Sequence, residues 1–252
     1  MNWIHQMIVN YTITGWEIIT QRAHGLLAAQ IAAQWEYNIR TERWIETLLA
    51  IAEHDDAQVE LERDNLLTPQ GGPVNFKMKE FEQRHCTQTM DFALSKSRYI
   101  ALLCSMHLAF VYGKECADNP DAAKFMQAQR LLQKKWRKVL GLTAAEAQRD
   151  YRLLEWCDAL SLLLCQHENQ PEGRTIEISK GPKDCAYQLV QPGAGNLTVE
   201  PWPFEDERFE LYFETRLIPQ LSFKNAAEFR SAFRAAKVSE KRWVFKKEKP
   251  LH

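Results

Sequence analysis

The 252-residue chain lacks most of the features that would assign it at a glance. It has no excess of charge. Its 32 basic residues stand against 33 acidic ones, so the broad basic footprint of a nucleic-acid binder is missing. The one basic cluster, "KRWVFKKEKP", is short and interrupted and reads as a strand edge guarded by lysines. No apolar run approaches the roughly 20 residues that cross a bilayer. The N-terminus has neither the basic n-region nor the continuous apolar h-region of a signal peptide. The expectation is a cytoplasmic protein with neither nucleic acid nor membrane among its partners. The six cysteines form no C-x-x-C pair. Cys104, Cys116, Cys157 and Cys165 fall in or beside helical patterns, as apolar thiols rather than a zinc–thiolate set. The phosphate loop G-x-x-x-x-G-K-[ST], the nucleophile elbow G-x-S-x-G and the zinc helix H-E-x-x-H are absent too.

What is present is a change of period along the chain. "IVNYTITGWEIITQ", 8–21, holds two β-rich runs around Thr14-Gly15 and predicts a hairpin; translation could begin at Met1 or at Met7. "AHGLLAAQIAAQWEYN" predicts a first helix and 41–60 a second. "DNLLTPQGGPVNF", 64–76, is rich in turn formers and reads as a loop. A third helix is expected from about Met78 to Leu94. A fourth, "SRYIALLCSMHLAFVYG", is apolar on nearly every side and should be central. A fifth, basic and amphipathic, follows Asn119-Pro120. Thr143 with Glu146 forms a capping-box pattern opening a sixth, which runs to about Cys165. After "ENQPEGR" come the short β-rich runs "TIEIS", "CAYQLVQ", "NLTVE" and "FELYFETRLI", then a helix in "NAAEFRSAFRAAK" and a last strand in "RWVFKK".

Neither the hairpin nor the C-terminal strands make a stable sheet alone. The expected fold is therefore α+β and mainly α. One continuous domain over 1–252 would hold a helical bundle at 22–167. Residues 1–21 and 172–252 would pair in a small, mostly antiparallel sheet laid on that bundle.

Ionisable residues then fall where the core should be. His24 lies on the stripe of Leu27, Ala28 and Ile31; Asp55 on that of Trp44, Leu48 and Ile51. His85 follows Met78 and Phe81, His107 follows Ile100 and Leu103, and Asp158 follows Leu154. One such residue is usually a satisfied core histidine or a surface carboxylate. Five helices doing the same is harder to explain, because a buried unpaired carboxylate costs several kcal/mol or neutralises itself. A shared divalent cation would satisfy them together, and a mixed imidazole–carboxylate set suits Mn, Fe, Zn or Mg.

His24, then His54-Asp55 on the next helix, then Asp158 far downstream resemble the H…HD…D order of the HD-domain metal-dependent phosphohydrolases. The resemblance covers about 22–167. It implies a helical bundle with the metal between helices, held by His24, His54, Asp55 and Asp158. His85 and His107 fall where two-metal members place extra histidines, so one or two ions per chain are implied. "AEHDDAQ", "YIALLCSMH", "YRLLEWCDALSLLLC" and "PWPF" look more closely like a bacterial family that carries only a domain-of-unknown-function label. That family would place Gly-Trp after the second aspartate, where this chain has Ala57-Gln58.

A metal so held would activate a water and polarise a phosphoryl oxygen of a small phosphorylated metabolite or nucleotide. Glu53 and Asp56 flank the dipeptide as general base or outer partner. Arg22, Arg84, Lys96, Arg98 and Arg152 lie near the expected ligands in sequence and are the candidate cations for a phosphate. Two alternatives stand beside this reading: a degenerate member that only binds a ligand or partner, and a two-iron oxygenase using His85 and His107.

Overall fold

The computed structural model describes residues 7–55, 61, 66–78, 80–170, 172–193 and 195–248. The N-terminal hairpin forms as expected, with β1 (Ile8–Thr12) and β2 (Gly15–Ile19) antiparallel. Gly15, at φ +138°, brings its backbone against β6, and a Cβ there would stand 2.1 Å from the Ile218 carbonyl oxygen. β2 continues the sheet by pairing Trp16 with Ile218 of β6 (Arg208–Ile218). β3 (Thr175–Glu177), β4 (Gln188–Gly193), β5 (Asn196–Glu200) and β7 (Val238–Lys246) complete seven strands, ordered β1-β2-β6-β7-β5-β4-β3. All neighbours are antiparallel except β5 and β7. The two ends of the chain thus share one sheet, and the fold is α+β, mainly α.

Alternation on the strands decides which layer each side chain meets. Ile8 and Ile19, with Phe209, Leu211 and Phe213 of β6, join the large core under the helices. Val9, Ile18 and Ile218 turn to a second cluster with Phe229 and Phe233 of α7 (Ala226–Ala235).

The helical layer contains α1 (Gln21–Gln34), α2 (Trp44–Glu53), α3 (Gln83–Lys96), α4 (Arg98–Tyr112), α5 (Pro120–Leu140) and α6 (Ala144–Cys165). The capping box opens α6: Glu146 N–H donates to Thr143 Oγ1 at 3.2 Å, and Thr143 N–H donates to Glu146 Oε2 at 2.8 Å. α4 is buried on all sides over its first turns and packs against α2, α3, α5 and α6. Together with the 3₁₀ turn that continues it, Arg98–Ala117 makes 20 residues. By length and composition that stretch could cross a membrane, which corrects the reading that no run approaches this length.

Two further boundaries differ from expectation. Met78 closes a separate 3₁₀ turn and is 49% exposed, so α3 begins only at Gln83 and the proposed stripe through Met78 does not exist. α2 begins at Trp44 and ends at Glu53.

The "PWPF" segment fastens α1 to the sheet. Glu36 N–H donates to the Pro203 carbonyl at 3.1 Å, and Glu205 N–H to the Gln34 carbonyl at 2.9 Å. Phe204 packs edge-on against Trp35 and Trp156, which are themselves 4.9 Å apart. This aromatic knot fixes the spacing of α1 and α6, the two helices that carry His24 and Asp158.

Candidate metal centre

Four helices meet around one point: α2 and α6 pack on each other and each packs on both α1 and α4. α1 and α2 approach closely because Gly25 has no side chain: a Cβ there would lie 2.3 Å from the Ala52 carbonyl oxygen. His24 precedes that contact and His54 follows it by two residues. Their rings meet edge to face with centroids 5.3 Å apart. His107 of α4 meets His54 at 4.8 Å, and Asp158 reaches in from α6. His24, His54, His107 and Asp158 are all buried.

Two overlapping groups have the spacing of metal ligands, His24–His54–Asp55 and His54–His107–Asp158, with ligand atoms within 4.8 Å of one another. Two ligands about 2.1 Å from one ion stand about 3 Å apart when cis. His24 Nε2 to Asp158 Oδ1 is 2.9 Å, His54 Nε2 to Asp158 Oδ1 is 3.3 Å, and His54 Nε2 to Asp55 Oδ2 is 3.7 Å.

The outer hydrogen bonds fix which ring nitrogen faces inward. The Ile51 carbonyl can only accept, so His54 Nδ1 donates to it at 2.7 Å. Ser161 Oγ donates its single proton to the Asp158 carbonyl at 2.8 Å and therefore accepts from His24 Nδ1 at 2.7 Å. Each histidine thus keeps Nδ1–H outward and turns Nε2 toward a carboxylate oxygen, lone pair to lone pair. That arrangement is repulsive without positive charge between the two atoms. His54 Nε2 is buried and makes no well-formed hydrogen bond.

Electrostatics point the same way. Burial lowers the pKa of His54, but Asp55 and Asp158 outweigh it and hold the ring at about 9. Burial raises Asp158, but His24 and His54, when their rings carry a second proton, bring it well below the usual carboxylate range. α2 ends here with His54 as its C-cap, so the negative end of its dipole also favours a cation. Protonating both rings would place two imidazolium groups in edge contact. One divalent ion supplies the charge without that repulsion, and these side chains can hold it.

The other expected residues fall into three sets. His107 joins the centre. His85 is buried but belongs to neither group among the described residues, because α3 packs chiefly on α4 and α5. Glu53 is tied to Lys96 at 2.9 Å, which joins an expected cation to a residue beside the dipeptide. Arg152 pairs with Asp184 at 3.0 Å. Arg22 and Arg84 are exposed. Arg98 opens α4, about 13 Å along the helix from His107 at 1.5 Å per residue. Asp56, Ala57 and Gln58 lie outside the described residues.

Sequence reasoning missed Gly25 and Ser161. Ser161 stood out only as a hydroxyl inside the apolar run "ALSLLLC", three residues after Asp158. Residues 7–220 match a family described as Protein of unknown function (DUF3891). No curated protein and no solved structure matches the chain.

Proposed function

Because the chain belongs to the DUF3891 family, whose description assigns no function, we propose from its site that it is a metal-dependent phosphohydrolase of the HD-domain type, acting on a small phosphorylated metabolite or nucleotide. The observation that carries this reading is His54 Nε2, buried, without a well-formed hydrogen bond and turned to Asp158 and Asp55. His24, His54, Asp55, His107 and Asp158 would hold the ion, and three imidazoles with two carboxylates suit Mn, Fe or Zn. When bound, the ion supplies Lewis acidity toward a phosphoryl oxygen and an acidified water.

The protein's own groups do the rest. Ile51 and Ser161 hold the rings of His54 and His24 in one tautomer. Lys96, paired with Glu53, places a cation next to the dipeptide. The two-iron alternative called for His85 beside His107, and among the described residues His85 joins neither ligand group, which weighs against it.

The test is hydrolysis of phosphate mono- and diesters by purified protein stripped with a chelator and then given Mn²⁺, Fe²⁺, Zn²⁺ or Mg²⁺ singly. Activity that vanishes on stripping and returns with one of these ions supports the reading. A protein that retains metal yet cleaves no ester under any of them refutes it in favour of a binding module.

A further inference from the structure

Tyr151 lies on α6, one turn before Glu155 and two turns before Asp158, so the three share a face. Its side chain is buried and its ring centroid stands 6.4 Å from that of His107. Its hydroxyl is also buried and makes no hydrogen bond. A buried tyrosine usually finds a partner for its O–H, and leaving the group unsatisfied costs about 1–3 kcal/mol. Elsewhere in the same layer the fold meets that demand: Tyr99 donates to Asp150 Oδ2 at 3.0 Å and shares a hydrogen bond with Thr47 Oγ1 at 3.1 Å.

We propose that Tyr151 is the substrate-positioning hydroxyl of this centre, donating a hydrogen bond to a phosphoryl oxygen of the ester that the metal ligands face. The assignment rests on the phosphohydrolase reading above and adds a named contact to it. A phosphate group has acceptor oxygens to spare, so one can face the ion while another takes the Tyr151 proton. The centre would otherwise offer an anion few neutral donors, because Ser161 is committed to the Asp158 carbonyl and to His24.

The experiment compares wild type with Tyr151→Phe, both loaded with Mn²⁺ and titrated with inorganic phosphate by calorimetry and by near-ultraviolet difference absorbance. Phosphate should perturb the tyrosine spectrum of the wild type, and that signal should be lost in the variant. Phosphate affinity should fall about 10-fold or more, the size of a hydrogen bond to a charged group. Metal content should be equal in the two proteins. The metal-free variant should melt no lower than the metal-free wild type, since only an unpartnered oxygen is removed. If the variant binds phosphate within about twofold of wild type, or melts clearly lower, the Tyr151 assignment falls while the phosphohydrolase reading stands. If loaded wild type binds no phosphate, both fall.

Discussion

Two histidine–carboxylate clusters in this molecule, one opening to the surface and one buried, use the same residue types to opposite ends. Where the hairpin meets the end of α6, Glu17 accepts from His167 Nε2 at 2.6 Å and from Asn10 Nδ2 at 3.1 Å, with Lys241 Nζ at 3.6 Å. One carboxylate faces three donors, so charge and hydrogen bonds close within the protein. At the centre between α1, α2, α4 and α6 the balance is reversed. Inward-turned imidazole nitrogens face carboxylate oxygens, and their outward nitrogens are committed to Ile51 and Ser161. The first cluster is a clasp that needs nothing further. The second has the ligands to hold an added cation. Composition alone would not separate them; the exposure of His167 and the direction of each proton do.

Asp158→Ala should break the contrast most strongly. It removes the oxygen shared by His24 and His54, abolishes metal retention, and costs about 3–5 kcal/mol, the usual result of leaving buried partners of an ion pair uncompensated. Chemical denaturation with metal present and absent should show the larger loss in its presence.

Glu17→Gln should act on stability alone. Burial raises the carboxyl of Glu17, but the His167 and Asn10 hydrogen bonds and the His167 and Lys241 charges outweigh it and bring the group from 4.5 to about 2. A carboxyl whose folded pKa is depressed stabilises above its unfolded value, and that contribution is lost as the pH falls from 4.5 toward 2. The variant should lose about 3 kcal/mol at neutral pH, lack the wild type's decline over that acid window, and keep its metal. A decline as steep as the wild type's would show that Glu17 is not the group responsible.

Gly25→Ala tests whether close approach of α1 and α2 makes the centre. The added methyl would meet the Ala52 carbonyl oxygen at 2.3 Å, so the helices must part. The expected cost is about 1–3 kcal/mol. Metal affinity should also fall about 10-fold, as when an outer contact of a metal ligand is lost. His85→Ala is the smallest expected effect. It should cost about 1–2 kcal/mol and leave metal stoichiometry unchanged, because His85 joins neither ligand group.

Most of the fold was legible because it follows from period and from apolar faces that cannot be buried alone. The hairpin's pairing with β6 is the clearest case. The polar residues on the stripes of α1, α4 and α6 were legible for the same reason, as ionisable groups where Leu or Ile should stand. The stripe drawn from Met78 to His85 was illegible as drawn, because Met78 belongs to a separate 3₁₀ turn. Ser161 and Tyr151 were illegible because a serine or tyrosine on a core helix has an ordinary structural explanation. Only the hydrogen-bond geometry separates Tyr151, with no partner, from Tyr99, which is fully satisfied. Gly25 was illegible, since its meaning lies in Ala52 across the helix pair.

The most direct test of the central claim, that these side chains are arranged for a divalent ion, is elemental metal analysis of the purified protein beside His54→Ala. His54 belongs to both ligand groups, so its loss breaks each of them. The expected result is bound divalent metal in the wild type, little or none in the variant, and a melting temperature that rises with added metal only in the wild type. A wild type that holds no metal and whose melting temperature ignores Mn²⁺, Fe²⁺, Zn²⁺ and Mg²⁺, or a variant that holds as much metal as the wild type, would contradict it.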